Sequence, residues 1–234
     1  FFQGMSVALY DLCYMIDFSK VKSVEHAGKE IAVMNMVEKG AKGVSPFLGG
    51  VLAFVAGPQV VMWIAALLFL LSSIPLFKTA EPMAVGQKLS FKGLPWRGAV
   101  RSIVAEVVVG FDAVSSGTVW ALFLAVAILG VGTGNEVYAE LGVLVSVSLF
   151  AALAVSYVFG KVIDNRRGGT LLKAGVLANS VVHLTRPFTG SPVHAASVNV
   201  ANETATTAYM MPYIRGLFDT ADILGKRVAF LGLT

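Results

Sequence analysis

The sequence is poor in charge. Asp, Glu, Lys and Arg make up 14% of its 234 residues, where a water-soluble domain carries about 25%. With 56% hydrophobic residues and a mean hydropathy of +0.75, too few charges remain to clothe a soluble globule. A disordered chain and a cytosolic enzyme both fit this composition badly. Cysteine is scarce as well. Cys13 stands alone, which excludes a disulfide framework or a cysteine-based metal site within one chain and reads as a small buried hydrophobe. Period-two alternation is missing. Transmembrane strands alternate apolar and polar over about 10 residues, whereas Val60–Pro75 and Ala121–Val131 are apolar on every side. His26, His183 and His194 share no helix face with a carboxylate at metal-ligand spacing, so neither a metal nor a cofactor is expected. Gly-x-Ser-Gly, His-Glu-x-x-His and paired-aspartate signatures are absent too, which argues against an intramembrane enzyme.

What is present is long apolar runs, and a spanning helix needs about 20 such residues. Seven candidates lie at roughly 1–17, 31–56, 59–77, 103–131, 137–160, 170–185 and 193–214, with an apolar stub from Val228 to Thr234. The expected fold class is therefore an all-α, polytopic membrane protein. The run 103–131 is too long for one straight span, and its Glu106 and Asp112 are expected near the headgroups. The basic residues sort by side. If the segment after the first span is cytoplasmic, loops on that side hold residues such as Lys20, Lys88, Arg101, Lys161, Arg215 and Lys226, and the outer loops hold only Arg186. This asymmetry follows the positive-inside rule. It predicts a multi-pass protein of the plasma membrane with basic loops cytoplasmic, and it accounts for the net charge of +4 without a nucleic-acid partner.

One internal echo is visible. Gly28-Lys29-Glu30-Ile31-Ala32-Val33 recurs as Gly225-Lys226-Arg227-Val228-Ala229-Phe230, and each copy follows a Tyr-x-x-x-Tyr pair, Tyr10/Tyr14 and Tyr209/Tyr213. The period covers six spans, as in transporters built from parallel six-helix halves. Two local patterns point the same way. Gly160-Lys161-Val162-Ile163-Asp164-Asn165-Arg166-Arg167-Gly168-Gly169 falls in a short loop between two spans, and Ser45-Pro46-Phe47-Leu48-Gly49-Gly50 falls inside one. The first resembles the loop signature G-x-x-x-D-R-x-G-R-R of the major facilitator superfamily, with Asn165 replacing an arginine and the glycine one place late. The second resembles the fifth-helix motif of that superfamily's antiporter branch. Ala32, Ala41 and Ser45 stand at its leading glycine positions, while Pro46, Gly49 and Gly50 match.

The resemblance runs from the family's fourth helix to the start of its eleventh. It implies a helix bundle incomplete relative to twelve helices, hence a fragment or truncated form. Residues 1–77 would end the N-terminal half, 78–102 would be a cytoplasmic linker, and 103–234 would belong to the C-terminal half. The resemblance also implies that Gly160, Asp164, Arg166 and Arg167 act as a cytoplasmic latch, and that Pro46, Gly49 and Gly50 pack helices.

Charged groups inside a span cost about 2.5–3.5 kcal/mol each on insertion scales, so those present mark candidate sites. Asn35, Glu38, Lys42 and Ser45 share one helical face, with Lys39 beside it, and Glu38 and Lys42 stand at ion-pair spacing. Asn199, Asn202, Glu203 and Thr206 form a second polar stripe, on the helix that lines the central cavity in the resembled family. These residues are the expected substrate or proton pathway, with Glu38 and Glu203 as protonatable groups and Asp11 and Arg186 as weaker candidates. The expected function is secondary active transport of a small solute by alternating access, with the proton as coupling ion and no enzymatic chemistry. A non-transporting membrane module that scaffolds partners, or a homodimer if the chain is a natural short form, is the alternative.

Overall fold

A computed structural model describes residues 27–76, 96–130 and 134–224. Among these every regular element is helical. The first expected span with Asp11, the linker over 78–95, the second copy of the internal echo and the stub from Val228 lie outside the described residues.

Helix α1 spans Ala27–Ala56 and α2 Pro58–Leu76. Gly57 joins them with φ of +89°, a left-handed conformation that glycine adopts without steric cost, and Pro58 opens α2 with its fixed φ already helical. Helix α3, Trp96–Val114, continues through a π-helical turn at Ser115–Val119, the short α4 at Trp120–Phe123 and a second π turn at Leu124–Ile128. Helix α5 runs Glu136–Val162, α6 Gly168–Thr185 and α7 Pro192–Leu224. Residues 96–102, expected in the linker, are already the first turns of α3. The long run after them forms one continuous helical stretch to Ile128.

Two helical stretches are long and apolar enough to cross a membrane, Ala99–Ile128 and Glu136–Phe188, and Pro58–Ser72 is a shorter apolar helix. The second stretch breaks at Ile163–Arg167, where Asn165 leaves helical geometry and Arg166 takes φ of +58°. Many large apolar side chains among the described residues are exposed. Trp63, Leu70, Val107, Phe111 and Leu184 are each more than two-thirds exposed.

Close helix approaches hold the bundle together. Helix α1 packs most extensively along α5 through small residues. A Cβ on Gly50 would collide with the carbonyl of Tyr138, and one on Gly142 with the carbonyl of Pro46. Gly49 is looser, its nearest neighbour being Val61 of α2 at 3.8 Å. Helices α6 and α7 meet at Gly175, whose missing Cβ would lie 2.6 Å from the Tyr209 amide nitrogen. Small residues let backbones approach until dispersion contacts form along their length. Two apolar cores result. One gathers Ile31, Ala99, Ile163, Met211 and Phe218, and the other Trp120, Leu124, Val182, Ala195 and Val198. Between these cores lie several polar side chains, Asp112 and Ser116 on the stretch that begins with α3, and Asn199, Asn202 and Glu203 on α7.

Candidate functional site

The polar middle layer centres on Asp112, midway along the helical stretch from Trp96 to Ile128. The helix begins earlier than the hydropathy pattern suggests, which puts Asp112 at the centre of that stretch. Its carboxylate is fully engaged. Oδ2 accepts from the Tyr209 hydroxyl at 2.5 Å, and Oδ1 accepts from Asn179 Nδ2 at 3.2 Å and the Ser116 hydroxyl at 3.2 Å. His183 Nε2 completes the shell 2.6 Å from Oδ1. Four donors from the first π turn, α6 and α7 thus converge on one acid. Such π turns recur at functional sites.

The network continues through Arg186, in the 3-10 turn Arg186–Phe188 after α6. Its Nη1 lies 3.0 Å from His183 Nδ1, and its Nη2 donates to Ser116 Oγ at 3.0 Å and Asn202 Oδ1 at 2.8 Å. A guanidinium offers only donors, so His183 Nδ1 accepts, and Nε2 carries the hydrogen that is donated to Asp112. This donor and acceptor pattern matches an Nε2–H imidazole. Arg186 is only 7% exposed, and its guanidinium also lies 5.0 Å from the Trp120 ring. Trp120 in turn donates its indole N–H to Asn199 Oδ1 at 2.5 Å. The buried positive charge is balanced by Asp112 across the imidazole, as burial of an ion requires.

A cleft of about 680 Å³ opens beside this network between α3, α6 and α7. Val104, Val108, Phe111, Leu172 and Val176 form apolar walls, and Asp112, Asn179, His183 and Tyr209 form the polar end. Mostly apolar walls with a few convergent polar groups are the usual make-up of a small-molecule site.

The residues singled out in the sequence fall into separate places. Asn199 and Asn202 join the network. Lys39 and Glu203 instead pair with each other at 3.0 Å, bridging α1 to α7. Glu38 and Lys42 form an ion pair on the exposed side of α1, and Asn35 is buried but donates to the carbonyl of Ile31 in its own helix. In the loop after α5, Asp164 Oδ1 lies 3.4 Å from Arg215 Nη1 of α7. Arg166 lines a second crevice with Arg215, of about 510 Å³. Gly160 is buried, whereas Arg167 is exposed.

Asp112, Asn179, His183, Tyr209 and Trp120 were not among the residues expected to form the substrate or proton pathway. A signal for most of them was present. Asn179, His183 and Arg186 are spaced by four and three, and Asp112, Ser116 and Trp120 by four and four, each set on one helical face. Among the described residues no group of three His, Cys, Asp or Glu side chains converges as a metal site. Comparisons with family models, curated proteins and solved structures return no match.

Proposed function

We propose that this chain is a secondary transporter, or part of one, moving a small solute across a membrane by alternating access with protons as the coupling ion. The observation that carries this reading is the Asp112–His183–Arg186 network, set midway along an apolar helical stretch and open to a cleft. An ionisable group in a membrane span is expensive unless it works on a substrate or ion pathway, and a structural role alone would be served by apolar packing. On this reading the helices cross the bilayer several times, the basic loops face the cytoplasm, and Gly160, Asp164, Arg166 and Arg167, with Asp164 held by Arg215 of α7, serve as the latch of a major-facilitator-type bundle. Polar groups contributed by three helices suit a site whose helices move against one another. The cleft takes the solute, and the network senses it.

The test is proton movement in proteoliposomes loaded with a pH dye and pulsed in turn with amines, carboxylates and sugars. At least one class should move protons, and Asp112→Asn should abolish that movement while the protein still folds. Equal movement in wild type and Asp112→Asn, or none with any class, would remove the reading.

A further inference from the structure

The geometry points to Nδ1 of His183 as a proton-binding site whose occupation releases Arg186 from the network. This deepens the transport reading in one respect, since it names the atom that takes the coupling proton, and it rests on that reading only for its use in a cycle. Donor and acceptor counting leads to the site. Arg186 Nη1 lies 3.0 Å from His183 Nδ1, and it can be held there only while Nδ1 keeps a free lone pair. When a proton from water adds to that lone pair, imidazole becomes imidazolium and two N–H groups face each other. The Nη1 contact is then lost, and two positive charges repel at close range. Nothing is lost on the other side of the ring. Nε2 still donates to Asp112 at 2.6 Å, now as a charge-assisted bond to a carboxylate. The proton therefore exchanges one Arg186 bond for a stronger Asp112 bond.

The groups around the ring set the outcome of protonation. His183 faces Asp112 of α3 directly and Tyr209 of α7 through that carboxylate. Arg186 is held in addition by Ser116 and Asn202, and Glu203, paired with Lys39 of α1, acts on it at longer range. Arg101 and Tyr213 line the same cleft. Asp112 is thus the acid that acts most strongly on the guanidinium, with Glu203 second. Arg186 is the side chain that ties the turn after α6 both to the first π turn and to α7. Loosening it weakens the hold among these three elements at the wall of the cleft, the movement a binding-site gate requires.

The experiment is nitrogen NMR on the full chain in lipid nanodiscs, labelled with ¹⁵N in histidine and arginine. At high pH, His183 should show an unprotonated Nδ1 and a protonated Nε2. On acidification Nδ1 should gain its proton, and the Arg186 guanidinium resonances should shift with the same midpoint. His183→Asn keeps an acceptor near the Nδ1 position but cannot take the proton, so the Arg186 shift should be lost. An Nδ1–H tautomer at high pH, or Arg186 resonances unchanged as the ring titrates, overturns the site. If His183→Asn does not fold, the wild-type tautomer decides alone, with His183 identified from His26→Gln and His194→Gln samples. A coupled titration in a protein that moves no protons in liposomes supports the site and overturns the transport reading only.

Discussion

His183 Nε2 lies 2.6 Å from Asp112 Oδ1, and this contact ties α6 to α3 across the cleft. It also places both groups inside an apolar bundle, where removing one partner leaves the others without an acceptor. Asp112→Leu should therefore orphan donors on His183, Asn179 and Tyr209 and cost about 1–3 kcal/mol. Asp112→Asn keeps one acceptor oxygen and should cost less. Thermal unfolding of the purified protein in detergent reads the order directly, and equal melting temperatures for wild type and Asp112→Leu would refute it.

The small residues between α1 and α5 lead to a steric prediction with an internal control. Gly50→Ala and Gly142→Ala each drive a methyl into a backbone carbonyl of the facing helix, which cannot swing away as a side chain can. Each should destabilise by about 1–3 kcal/mol, the usual effect of overpacking. Gly110 has no neighbour within 4 Å of an added Cβ. Gly110→Ala should be neutral or stabilising by up to about 1 kcal/mol, through helix propensity.

Arg166 has φ of +58°, which costs a residue with a Cβ roughly 1–2 kcal/mol. Arg166→Gly should relieve it and raise the melting temperature, whereas Arg166→Ala should not. Loss of cycling in both variants, with opposite effects on stability, would assign the side chain to the latch and the backbone to the turn.

Two ion pairs on α1 differ in surroundings. Glu38 and Lys42 are about half exposed or more, while Lys39 is 12% and Glu203 27% exposed. The exposed pair should contribute under about 1 kcal/mol in a double-mutant cycle. The Lys39–Glu203 pair should show the larger coupling energy, and Lys39→Ala should be more damaging than Lys42→Ala. Reversal of that order would mean that the bridge from α1 to α7 is not maintained.

Much of the helical layout was legible in the sequence. The runs at 31–56, 59–77, 137–160, 170–185 and 193–214 correspond to α1, α2, α5, α6 and α7, with most ends shifted by a few residues and α7 running on to Leu224. Long apolar periodicity encodes a helix locally, so this part needs no tertiary information. The start of α3 was hidden because Arg97 and Arg101 lower the hydropathy of its first turns. Half of the α7 polar stripe joins the network, through Asn199 and Asn202, since a helical face is also a local property. What was not legible was which faces meet. Glu38 and Lys42 share the face of Asn35 by spacing, yet Asn35 is buried and they are exposed, because a 30-residue helix turns different parts of one stripe toward different neighbours. The Asp112–His183 contact joins positions 71 residues apart, and no spacing rule within one helix reports it.

The most direct measurement is the water accessibility of the cleft beside Asp112. Ser115 and Ser180 line it, and Leu122 is an exposed apolar position on α4. In a Cys13→Ser background, single cysteines at these positions are treated with a membrane-impermeant methanethiosulfonate in liposomes, since the reagent attacks a thiolate and a thiolate needs water. Ser115→Cys and Ser180→Cys should react while Leu122→Cys stays inert. Ser115→Cys and Ser180→Cys as unreactive as Leu122→Cys would mean that the polar network is sealed in hydrocarbon, and no solute pathway would pass it.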